Sequence, residues 1–152
     1  MDAMAQIKQV EVLGKTYNVA LCSAVKQRSV MFLLAKYCLQ EMIRQLAMAG
    51  DKVSPAQMAM TKLYIVGVMM ERMSEAEFTG LCNDLLYKTF VAGADKPISI
   101  DDFQNRMDEY ALLVFNAVSA NFEGFGRFLN QMGASNEGAA QDQASTQAST
   151  GS

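Results

Sequence analysis

The chain has 152 residues, enough for one domain with a genuine core and short for two. At 51% hydrophobic and 19% charged its composition is globular rather than disordered. A net charge of −3 and a pI near 4.9 argue against a phosphate-tracking protein, so no nucleic acid partner is expected.

The opening "MDAMAQIKQ" has an acid at position two and no apolar run, unlike a secretory signal. Next, "VEVLGKTYNVAL" alternates apolar and polar residues on both sides of Gly14. This predicts a hairpin with strands near 7–12 and 16–20, and Gly14 supplies the freedom of the turn. Two strands alone are marginal in water, so the hairpin must lie on helices or pair with another chain.

Ser23 caps a predicted helix that runs to Gly50. Val25, Phe32, Leu39, Met42, Ile43 and Leu46 form one stripe, while Val30, Leu33, Leu34, Tyr37 and Met48 fall on the other side, so one neighbour cannot bury it. Lys26, Lys36 and Arg44, with Glu41 beside them, read as a solvated face. "SPAQ" at 54–57 then starts a helix from Pro55 to about Arg72. That helix is apolar nearly all round and is expected to be buried, centrally or against a partner. Its longest uncharged apolar run, 63–70, is far below the roughly 20 residues that span a bilayer, and no membrane partner is expected.

"SEAE" at 74–77 opens a third helix ending near Gly93, and "SIDD" at 99–102 opens a fourth that carries Phe103, Met107, Tyr110, Val114, Val118, Phe122, Phe125 and Phe128. From Gly133 onward no apolar side chain exceeds alanine, and a disordered tail is expected. The expected fold is mainly α: a helical domain of about four helices over 1–132, with an N-terminal hairpin at 7–21 and a polar tail at 133–152.

Catalytic chemistry finds little support. Histidine is absent, which removes the commonest general base and metal ligand. Glu75 with Glu77, and Asp101 with Asp102, sit in predicted first helical turns, where acids complement the helix dipole. The pair Asp108 and Glu109 is equally bland. Cys22, Cys38 and Cys82 are odd in number, widely spaced and set among apolar residues, so they read as buried small hydrophobes in a reducing cytoplasm. No catalytic, metal or cofactor-binding residue is expected, and the chain is not expected to be an enzyme. A carboxylate enzyme would need two convergent acids in a deep pocket.

The unusual signal is twelve methionines, with Met58, Met60, Met69, Met70 and Met73 crowded together. Methionine fills cores, and it also lines adaptable surfaces that hold varied apolar helices. On the second reading, Met60, Leu63, Tyr64, Met69, Met70 and Met73 would contact a partner.

The hairpin "VEVLGKTYNV" followed at once by "CSAVKQRSVMFLLAKYC" and a compact run of helices resembles the tail assembly chaperones of long-tailed bacteriophages. The likeness covers about residues 7 to 131 and centres on the Gly14-Lys15-Thr16-Tyr17 turn and the helix after it. It implies a non-enzymatic chaperone of the host cytoplasm that holds the apolar, helical tape measure protein soluble while the tail tube assembles. Members of that family are often made in two lengths, the longer, frameshifted form recruiting tail tube subunits. Surplus apolar surface on the first two helices further suggests a homo-oligomer. The alternative reading is a structural subunit whose apolar helices serve self-association alone.

Overall fold

Strands Ile7–Val12 (β1) and Lys15–Ala20 (β2) pair antiparallel with Val10 opposite Tyr17, as the alternation predicts. In this computed structural model, which describes residues 6–50 and 52–124, a two-residue turn joins them. Both turn residues have positive φ, Leu13 at 48° and Gly14 at 83°, matching the right-handed twist of the strands. Leucine is a poor occupant of that region, and its side chain is exposed. Leu13→Asn should therefore raise the unfolding free energy by about 0.5–1 kcal/mol, read as a higher urea midpoint at unchanged m-value.

A third strand, Thr89–Val91 (β3), pairs with β2, giving the sheet order β1-β2-β3. The helical pattern expected to continue to Gly93 stops at Leu86 instead. Thr89, Phe90 and Val91 are β-branched or aromatic, and β2 offers them an edge. The amide of Ala20 donates to the Lys88 carbonyl at 3.1 Å and that of Ala92 to Thr16 at 3.0 Å. The hairpin thus gains both a third strand and helical support.

The helix expected from Ser23 to Gly50 is two helices, Ala24–Tyr37 (α1) and Leu39–Ala49 (α2). Cys38 breaks the run with φ −147° and ψ 0°. The break leaves the Tyr37 carbonyl to Arg72, whose Nη1 donates to it at 2.9 Å. Burial divides the expected stripe: Met42 faces inward, as do Val30, Leu34 and Cys38, whereas Val25 and Phe32 face solvent.

Helices Pro55–Arg72 (α3) and Glu75–Leu86 (α4) begin at the predicted serine caps, each with both reciprocal hydrogen bonds of the capping box. The segment expected to be one helix from Ser99 is a 3₁₀ turn, Ile100–Phe103, followed by Met107–Asn121 (α5). Asn105, at φ 66°, reorients the chain between them.

α5 is the central helix. Leu112, Leu113, Val114 and Phe115 are buried in succession, with Ala117 and Val118 beyond, and the helix packs against α3, β1 and α4. The all-round burial expected of the 55–72 helix belongs to α5, because α3 buries one face only: Ile65, Val66, Val68 and Met69. The compact unit ends at Asn121; of the second unit, from Phe122 onward, only residues 122–124 are described. Phe125, Phe128 and the expected tail at 133–152 lie outside the described residues.

Candidate interaction surface

Two of the six paired acids, Glu77 and Asp102, serve as caps. Asp102 accepts from the Ser99 amide at 2.8 Å, and Glu77 accepts from the Ser74 amide at 2.9 Å. Glu77 also accepts from the Tyr37 hydroxyl at 2.8 Å, which fastens α1 to the start of α4. The Ser74 amide, then the Tyr37 hydroxyl, hold its carboxyl below the ordinary value. Glu109 pairs with Arg106 at 3.1 Å.

A groove of about 430 Å³ opens between the end of α4 and the 97–100 loop, with Leu86, Tyr87, Ile98 and Ile100 on its walls and Cys82 and Tyr110 among its lining. No carboxylate lines it. Among the described residues no His, Cys, Asp or Glu cluster could hold a metal ion.

The three thiols are buried and unpaired by disulfides. Burial pushes Cys38 and Cys82 up to about 11, the wrong direction for a nucleophile at neutral pH. These raised values favour the neutral thiol in the folded state. Their contribution to stability is complete below the ordinary thiol value of 9.0 and is lost as the pH climbs towards about 11. Unfolding free energy from urea titrations should fall between pH 9 and 11, and less steeply when Cys38 and Cys82 are both alanine.

What the surface offers instead is apolar area. On the outer face of α3, Met60 is 67% exposed, Tyr64 51% and Met70 54%, with Leu63 half-buried beside them. Gly67 lies amid this face, and a Cβ there would meet nothing within 4 Å, so the helix is flat at that point. Tyr64 is steadied by its hydroxyl, which donates to Glu41 of α2 at 3.3 Å. The inner edge is fixed by Lys62, whose Nζ donates to Asn116 Oδ1 at 2.9 Å, while Asn116 Nδ2 donates to the Glu11 carbonyl at 3.1 Å. That chain of bonds ties α3 through α5 to β1.

Four of the six residues expected at a partner surface therefore share one accessible face: Met60, Leu63, Tyr64 and Met70. Met69 and Met73 do not join them. They are 0% and 5% exposed and pack in the core, because they lie on the same side of α3 as Ile65 and Val66. Sequence reasoning missed the second accessible apolar face, Val25 and Phe32 on α1.

The described residues form a small, mainly helical domain with acids at its helix caps, buried thiols and two bare apolar helix faces. The model of a family described as phage tail assembly chaperone protein, TAC, matches residues 13–136, and the chain belongs to this family. Its role is that of a chaperone in tail assembly. The match begins at the hairpin turn and runs through all five helices, consistent with the resemblance carried by the turn and α1. No curated protein and no solved structure matches the chain. Among the described residues no helix is long and apolar enough to cross a membrane.

Proposed function

We propose that this chaperone acts by binding alone, holding an apolar helical client, the tape measure protein, soluble in the host cytoplasm during tail assembly. The observation that supports this most is the outer face of α3. Met60, Leu63, Tyr64 and Met70 present flexible, polarizable side chains around the flat spot at Gly67, where a client helix can approach closely. Covering such area is favourable by roughly 25 cal/mol per Å², and the surplus over the cost of association sets the affinity.

Co-expression with the tape measure protein tests this. The native chain should raise the soluble fraction of the client and co-purify with it. Met60→Glu with Met70→Glu should abolish both effects while leaving the chaperone's own melting curve nearly unchanged, since both side chains are exposed. A client equally insoluble with and without the native chain would overturn the reading.

Homo-oligomerisation belongs to the same proposal. Exposed apolar residues on the hairpin (Ile7), α1 (Phe32) and α3 (Met60) are more than one client helix covers, which leaves area for a second copy. Sedimentation of the client-free chain should then show a species larger than a monomer.

A further inference from the structure

α1 carries Lys26, Arg28 and Lys36 and no acidic residue, in a chain whose net charge is −3. Lys26 is engaged within the fold, its Nζ 3.9 Å from Asp84 and 4.5 Å from the centroid of the Tyr87 ring. Arg28 is exposed and makes no hydrogen bond or ion pair with the described residues. Lys36 is exposed too, but its ammonium lies 5.0 Å from the Tyr37 ring and feels the Glu77 carboxylate of α4, so Arg28 is the main unengaged cation of this face.

The exposed apolar side chains Val25 and Phe32 of α1 interleave with these cations along the helix. Val25 and Phe32 are 65% and 69% exposed and seven residues apart, so they stand two turns apart on one face. Arg28 lies about a turn from each, and Lys36 lies a turn beyond Phe32. The inward face of the helix is fully used by Val30 and Leu34. α1 therefore shows solvent an oily ridge about 10 Å long from Val25 to Phe32, with positive charge along it and at its end.

We infer that this ridge docks a client helix whose apolar stripe is flanked by aspartate or glutamate. The inference rests on the client-binding reading above and gives the client segment its chemistry. Apolar contact alone would accept many occupants, and the flanking charge selects among them. A second copy laid symmetrically on the same ridge sets Arg28 and Lys36 against their own equivalents, which like-charge repulsion disfavours. A helix with basic flanks is disfavoured for the same reason. Acidic flanks gain attraction from both side chains and speed the encounter.

The test uses the full chain and two designed helix-forming peptides with the same leucine stripe, one flanked by glutamates and the other by lysines, followed by calorimetry. At low salt the acidic peptide should bind at least about tenfold tighter than the basic one, and the gap should close at about 0.5 M salt. Phe32→Asp and, separately, Arg28→Glu should each weaken the acidic peptide about tenfold or more. Both side chains are exposed, so an unchanged melting curve verifies that each variant is folded.

Equal affinity for the two peptides, or affinity indifferent to Phe32→Asp, would overturn the inference. So would a Phe32→Asp variant that converts an oligomer to a monomer, which would make a second copy the occupant. Binding to anionic lipid vesicles in place of the acidic peptide would overturn it in favour of a membrane surface. If neither peptide binds and the native chain still solubilises the tape measure protein, the ridge inference falls and the chaperone reading stands. If the native chain fails to solubilise that client, the chaperone reading falls.

Discussion

Phe103→Ala should destabilise the domain by about 3–5 kcal/mol, a large share of the roughly 5–15 kcal/mol available to a domain of this size. Phe103 is 1% exposed and occupies the junction where the sheet, the 3₁₀ turn and α5 meet. Its ring lies 6.4 Å from that of Tyr17 in a stacked arrangement and 5.4 Å from that of Tyr110 in a tilted one. The Arg106 guanidinium lies 5.5 Å from its centroid, and the same side chain bonds the Asp102 carbonyl. Truncation removes the transfer energy of the ring and leaves a cavity bounded by rigid aromatic neighbours that cannot collapse into it. Urea unfolding should show a sharply lower midpoint, and Phe103→Leu should recover more than half of the loss. A loss near 1 kcal/mol for the alanine variant would mean that the site relaxes, and that the junction does not depend on this ring.

Asn121→Leu should cost about 2–4 kcal/mol although the two side chains are close in volume. Asn121 is 9% exposed, and its Oδ1 accepts from the Cys22 amide at 2.8 Å and from Gln27 Nε2 at 3.2 Å. Its Nδ2 donates to the Ala117 carbonyl at 2.8 Å, which fixes the orientation of the amide. Leucine would leave the Cys22 amide without an acceptor at the point where β2 hands over to α1. Hydrogen exchange gives the specific readout: the Cys22 amide should exchange much faster relative to its neighbours in the variant. If the variant is as stable as the native chain and this amide stays protected, the bond to Asn121 is not what holds the two ends of the unit together.

Where local pattern and packing agree, the sequence was easy to read. The hairpin's alternation, the Ser54-Pro55 and Ser74-Glu77 helix starts and the capping role of Asp102 and Glu77 all depend on neighbours within a few residues. The errors occur where a distant partner decides. The split at Cys38 is accompanied by Arg72 donating to the Tyr37 carbonyl, a contact across 35 residues that local pattern does not reveal. The third strand depends on the open edge of β2.

Helix faces were the hardest to assign, because α1 and α3 are apolar on more than one side and periodicity gives no direction. Tertiary packing of the helices around α3 makes Met69 core and Met70 surface, although the two are adjacent in the chain. The same ambiguity left open which face of the Val25 and Phe32 helix is core, and in the structure these two residues are exposed while Met42 of the same stripe is buried.

The bond between Cys22 and Asn121 spans 99 residues, and β1 also packs on α5. Synthesis is vectorial, so a ribosome that has delivered everything through α4 has delivered surroundings for a central helix that is still inside the exit tunnel. Until α5 emerges, the surfaces meant for it stay wet and adhesive. The last of the described helices closes the unit, and a nascent chain stalled before position 107 should be captured by general cellular holdases, whereas one stalled well past 121 should escape them.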